Sequence, residues 1–128
     1  MNMTLESFHT DAAPAAIGPY SQAVKVGNLL FCSGQIPLDP ATMEMVGETA
    51  AAQCEQVMRN IKNLLEAAGL GMDRVARTTI FLASMSDFAD VNEVYAKHFG
   101  DHKPARACVA VKELPKGALV EIDCIAAL

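Results

Sequence analysis

Residues 105–111, Ala-Arg-Ala-Cys-Val-Ala-Val, and residues 118–126, Ala-Leu-Val-Glu-Ile-Asp-Cys-Ile-Ala, carry the pattern that decides the fold. Side chains of a strand point to opposite faces with period two. In the first stretch Arg106, Cys108 and Ala110 therefore share one face, and Ala107, Val109 and Val111 share the other. One face suits a core; the other sets a guanidinium and a thiol on an otherwise apolar strand. The connection Lys112-Glu113-Leu114-Pro115-Lys116-Gly117 predicts a hairpin that places Cys108 roughly opposite Glu121. Opposed residues project to one face. That register gathers a cation, a thiol and a carboxylate, and a slip of one residue sends Glu121 to the other face.

Upstream, residues 74–83 (RVARTTIFLA) are β-branched and aromatic and read as a strand. Ser86-Asp87 then opens a helix, because either side chain can cap free first-turn amides. Phe88, Val91, Tyr95 and Phe99 form its apolar stripe and Gly100 ends it. Residues 49–68 form a longer helix with Cys54, Val57, Met58, Ile61, Leu64, Leu65 and Ala68 on one side and Gly69 after its end. Residues 22–26 and 29–34 flank Gly27-Asn28, a hairpin signal. A further strand is expected at residues 4–9. Two helices of this length cover one face of the resulting sheet. The other face needs another subunit, so a homo-oligomer is expected.

The chain has 128 residues, enough for one domain, 1–128, and too few for two. Its 52% hydrophobic and 20% charged content excludes a disordered chain. A net charge of -5 argues against a large nucleic-acid footprint or an anionic membrane surface, and leaves room for a small basic pocket. No stretch approaches the roughly 20 apolar residues of a membrane span. The first residues, MNMTLESFHTD, lack the basic start and apolar core of a signal peptide. Cys32, Cys54, Cys108 and Cys124 are widely spaced without a C-x-x-C pair, and read as reduced thiols of a cytoplasmic protein.

Each candidate residue has two readings. Arg106, on an apolar strand, needs a partner for its guanidinium. It either captures a carboxylate with its two-pronged fork or pairs internally with Glu121 or Asp123. Cys108 is a nucleophile or a small buried hydrophobe, and no histidine is locally placed to activate it. Glu121 orients or deprotonates a water, or is a partner to Arg106 or an exposed charge near the sheet edge. Tyr20, in the turn Ile17-Gly18-Pro19-Tyr20-Ser21, donates to a substrate or packs. Ser33 and Gly34 end a strand and offer a hydroxyl and amides to an anion, or make an ordinary turn. His98 and His102 stand at metal-binding spacing, but Gly100 lies between them and no acidic helper accompanies them; no metal is expected. There is no P-loop or dinucleotide fingerprint.

Taken together, several segments resemble the Rid family of reactive intermediate deaminases, also called YjgF. They are Ala13-Pro14-Ala15-Ala16-Ile17-Gly18-Pro19-Tyr20-Ser21, Ser33-Gly34-Gln35-Ile36-Pro37, Glu66-Ala67-Ala68-Gly69 and Asp87-Phe88-Ala89 with Val91-Asn92. Pro104-Ala105-Arg106-Ala107-Cys108-Val109 and Leu114-Pro115-Lys116-Gly117 ahead of Glu121-Ile122 complete the match. The arginine in P-A-R-x-C is similar to the archetypal deaminase branch. The resemblance implies an α+β, chorismate-mutase-like (bacillary type) sheet with two helices on one face and a barrel-like homotrimer with clefts between subunits. It implies cofactor-free hydrolysis of 2-imino and enamino acids, such as 2-aminoacrylate and 2-iminopropionate, to a 2-oxo acid and ammonia. Its alternatives are a non-catalytic regulatory module that binds small carboxylates and an endoribonuclease. On this resemblance Arg106 holds the substrate carboxylate, and Glu121 with the Cys108 backbone positions water. Tyr20, Ser33 and Gly34 line the cleft, with Asn92 nearby; Arg106 and Glu121 share one wall, and the Tyr20 region or Asn92 comes from the neighbouring subunit. Lys103 stands where many members carry an aromatic residue, and either changes which imino acids fit or adds a second anion contact.

Overall fold

The Gly27-Asn28 pair turns the chain between strands β2 (Ala23–Val26) and β3 (Leu29–Gln35), with Gly27 at φ 56°. Glycine accepts that positive φ without a Cβ clash. The computed structural model describes residues 3–128. β1 (Glu6–Phe8) pairs with β2, shorter than the strand expected at 4–9. Helix α1 (Ala50–Ala67) follows, capped by the Thr49 hydroxyl, which accepts from the Ala52 amide at 3.1 Å. Gly69, at φ 80°, closes it.

β4 (Val75–Leu82), α2 (Phe88–Phe99) and β5 (Ala105–Ala110) form a crossover unit, and β6 (Val120–Ala127) ends the sheet's chain path. The capping expected of Ser86 and Asp87 is not made. Asp87 sits at the cap position without a side-chain bond, and Ser84 instead accepts from the Ser86 amide in the preceding turn.

The sheet order is β1-β2-β3-β6-β4-β5. β4 and β5 pair in parallel and all other neighbours are antiparallel. The hairpin expected between residues 105–111 and 118–126 is therefore absent. A helix joining β4 to β5 brings them side by side and parallel. β6 crosses beyond β4 and fills the slot between β3 and β4, where Val120, Ile122, Cys124 and Ala126 are all buried. This leaves β5 at the sheet edge.

α1 and α2 pack on the same face, burying Leu30, Val57, Met58, Ile61, Leu64, Ile80, Leu82 and Ile122 in one aliphatic core. The other face is uncovered in the single chain and exposes Leu29, Phe31 and Val109. Among the described residues no helix is long and apolar enough to cross a membrane.

Candidate functional site

The register separates the residues that the expected hairpin had gathered. Arg106 aligns with Thr78 and through it with Cys124, on the helix-covered face. Glu121 aligns with Phe81 and through it with Val109, on the open face. Cys108 aligns with Ile80 and Ile122, so it too lies opposite Glu121's face. No internal Arg106–Glu121 pair forms; one chain presents two walls.

α2 builds the first wall. Phe88, Asn92 and Tyr95 recur at helical spacing and meet Arg106 together. Arg106 Nη1 donates to Asn92 Oδ1 at 2.6 Å. The guanidinium carbon lies 5.1 Å from the Tyr95 ring centroid and 5.6 Å from that of Phe88. Such contacts suit a flat, weakly hydrated cation. Tyr95 is itself fixed by a 2.7 Å hydrogen bond with the buried Thr78 hydroxyl. Arg106 thus stays exposed, with its orientation set and donors still free. Among the described residues it has no carboxylate partner.

Cys108 sits beside this wall. Burial pushes its thiol above the ordinary range and Arg106 opposes the shift only in part, so the neutral thiol dominates near pH 7. Its backbone is better placed than its sulfur. The Val111 amide donates to Leu82 of β4 at 2.8 Å. Backbone groups alternate sides along a strand, so the Cys108 N–H and C=O point to the free edge.

The second wall is a cleft of about 490 Å³ that contains Tyr20, Ser33, Gly34, Lys116 and Glu121. β3 carries a register shift between Cys32 and Gln35 beside β6. Bulges of this kind re-aim side chains next to sites. A Cβ at Gly34 would overlap Glu121 Oε2 and lie 2.9 Å from its Cδ, so the missing side chain is the seat of the carboxylate. Desolvation raises the Glu121 pKa above the usual glutamate range, and repulsion from Asp123 adds to it. The Ser33 hydroxyl donates to the Ser21 carbonyl at 2.6 Å, which ties β3 to the turn presenting Tyr20. Tyr20 is exposed, with its ring free to meet a ligand.

Two parts of this wall escaped the sequence reading. Gln22 is buried and clamps residues 10–14: its Nε2 donates to the Thr10, Ala13 and Pro14 carbonyls at 2.9, 3.2 and 2.8 Å, and its Oε1 accepts from the Thr10 amide at 2.7 Å. Lys116 lines the cleft from a left-handed backbone, φ 56°, uncommon for a side chain with a Cβ. The histidine pair divides: His98 Nε2 meets Glu55 at 2.8 Å, and His102 Nε2 meets the Val75 carbonyl at 2.7 Å. Grouping Arg106 with Glu121 on one wall is likewise corrected. Within the chain Asn92 stands with Arg106, and Tyr20, Ser33 and Gly34 stand with Glu121.

The family model described as Endoribonuclease L-PSP matches residues 10–128. Protein DfrA of Myxococcus xanthus is 57% identical over 126 residues, spanning 97% of this chain and 96% of that protein. Among solved structures, the YyfA protein of the conserved Rid family from Yersinia pestis superposes with a TM-score of 0.95 at 43% identity, over 98% of this chain and 100% of that one. TdcF of E. coli, solved with bound serine, superposes with a TM-score of 0.90 at 40% identity, over 96% and 98% of the two chains. Continuous similarity of this extent, in sequence and in fold, makes the chain a member of the Rid family, the group that the endoribonuclease L-PSP model describes.

Proposed function

We propose that this protein is a cofactor-free deaminase of 2-imino and enamino acids, of the 2-iminopropanoate and 2-iminobutanoate type, whose site is completed between copies of the chain in a homotrimer. The observation that carries the reading is the placement of Arg106 and Glu121 on opposite sheet faces, each beside an open cavity. A carboxylate anchor and a base that serve one small substrate must then come from different chains. The uncovered sheet face and the free β5 edge supply a surface for such an assembly.

In this reading Arg106 fixes the substrate carboxylate by a charge-assisted fork, with Asn92 and the two aromatic rings holding its plane. The Cys108 carbonyl and the neighbouring chain's Glu121 hold a water against the imine carbon. Water adds to the C=N carbon while Glu121 takes its proton, and the same proton passes to nitrogen. Glu121 then takes the remaining hydroxyl proton and passes it to the amino group as the carbon–nitrogen bond breaks, giving ammonia and the 2-oxo acid. An imine carbon is already electrophilic, so orientation and a held water supply the catalysis without a thiolate. The bound serine of TdcF, itself a small amino acid with a carboxylate, supports this substrate class. RNA cleavage fits less well: net charge is -5, and cavities of about 490 and 340 Å³ match small molecules.

The test is hydrolysis of freshly generated 2-iminobutanoate, followed by loss of the imine. Turnover supports the deaminase. Saturable 2-oxobutanoate binding without turnover would replace it with a carboxylate-sensing role. Gly34→Ala gives a second expected outcome. The new Cβ displaces the Glu121 carboxylate, and misplacement of that order lowers kcat by about ten- to a hundredfold. Unchanged circular dichroism would show that the loss is local, and full activity would remove Glu121 from its assigned position.

A further inference from the structure

The cavity of about 340 Å³ around Arg106 also contains Lys103, with Asn92, Tyr95, Phe99 and His102 among its lining residues. Its charge is unusual for this protein. The chain holds 15 Asp and Glu against 10 Lys and Arg, yet no carboxylate lines this cavity. Asp101, two residues before Lys103, is exposed and outside the lining. Among the described residues neither Lys103 nor Arg106 is paired with an acid. His102 adds no free donor at Nε2, which is bonded to the Val75 carbonyl. Pro104 separates the two cations and fixes the chain between them just before β5 begins. Two unpaired cations of different shape, one a flat fork and one a point charge, therefore face a single pocket with an aromatic and amide lining.

We propose that this cavity selects dicarboxylates, Arg106 taking the carboxylate next to the reacting carbon and Lys103 the distal one. Resting on the deaminase reading, this sets a preference, within the 2-imino acids, for imines of four- and five-carbon 2-oxo dicarboxylic acids over the monocarboxylic ones. A single carboxylate satisfies Arg106 and leaves the Lys103 charge unused. A second carboxylate neutralises it, in a pocket large enough for a small ligand.

The experiment compares two imines generated in situ by amino-acid oxidation, 2-iminoglutarate and 2-iminobutanoate, and in parallel titrates the stable products 2-oxoglutarate and 2-oxobutanoate by calorimetry. The wild-type protein is expected to favour the dicarboxylate in both measurements. Lys103→Met should lower the dicarboxylate-to-monocarboxylate ratio about fivefold, the scale of a partly exposed ion pair. Lys62→Met, which removes the same charge from the exposed side of α1, should leave the ratio unchanged. The preference should also weaken as salt rises. Turnover of both imines with a ratio that Lys103→Met does not move would overturn the inference and leave the deaminase standing. Lys103-dependent binding of 2-oxoglutarate without turnover of either imine would do the reverse, keeping the dicarboxylate site and removing the reaction. Equal binding of the two oxo acids by the wild-type protein would overturn the inference directly.

Discussion

Arg106→Ala is expected to lower kcat/KM for 2-imino acid hydrolysis by roughly two orders of magnitude, about 3 kcal/mol of transition-state binding. The size follows from the arrangement around the side chain. Asn92 and the Tyr95 and Phe88 rings orient the guanidinium, and among the described residues no acid neutralises it, so its charge is available to the ligand. In the proposed reaction, truncation leaves the substrate carboxylate without a counter-charge. Arg106→Lys should recover only part of the loss, because an ammonium cannot present two parallel donors. The fold should survive both changes, since Arg106 is exposed on an edge strand. The measurement is steady-state kinetics with a monocarboxylic imine, beside thermal unfolding of each variant. Near-normal kcat/KM in a folded Arg106→Ala protein would remove the anchor from the mechanism.

Glu121→Gln is expected to be at least as damaging to kcat, by about a hundredfold or more, because an amide keeps the shape and cannot accept a proton from water. The acid limb of the pH profile gives a more specific signature. Burial beside Gly34 and repulsion from Asp123 raise the Glu121 pKa, and the proposed base acts only when ionised. Activity should therefore rise with pH through a value above the ordinary glutamate range. Asp123→Asn removes the repulsion and should move that limb towards lower pH. The sign for stability is opposite: a carboxyl whose pKa is raised by folding favours the folded state more when protonated, so its ionisation costs stability as pH increases. A limb that stays in place in Asp123→Asn would assign the titration to another group.

Nearly every element was legible from local pattern, and the strand order was not. The stripe from Cys54 to Leu65, the Gly27-Asn28 turn and the β-branched run before Leu82 each announce themselves within a few residues. Alternation in residues 105–111 and 118–126 announces two strands, but alternation does not name a partner. A short connection favours a hairpin by default. The competing demand is global: the α2 crossover sets β5 parallel to β4, and β6 must then reach the slot beside β3. That exchange moved Glu121 to the face opposite Cys108 and replaced one compact triad with two walls. The cradle of Arg106 was half visible. Phe88, Asn92 and Tyr95 share a helical face, but aromatic residues at that spacing read first as core. Tyr95 does both, packing inward while its ring carries the guanidinium. The Gln22 clamp left no local signal, because its four bonds depend on where residues 10–14 return.

The claim on which the rest depends is that Arg106 and Glu121 act together from different chains. Arg106→Ala chains keep the Glu121 wall, and Glu121→Gln chains keep the Arg106 wall. The two inactive proteins should be unfolded, mixed in equal amounts and refolded together, since subunits of a stable assembly exchange slowly. Random co-assembly pairs an intact Arg106 wall with an intact Glu121 wall in about a quarter of the clefts. The refolded mixture should then show about a quarter of the wild-type imine hydrolysis, well above the sum of the two proteins refolded apart. No gain in a mixture that native mass spectrometry shows to contain mixed assemblies would contradict the account, because each site would then lie within one chain.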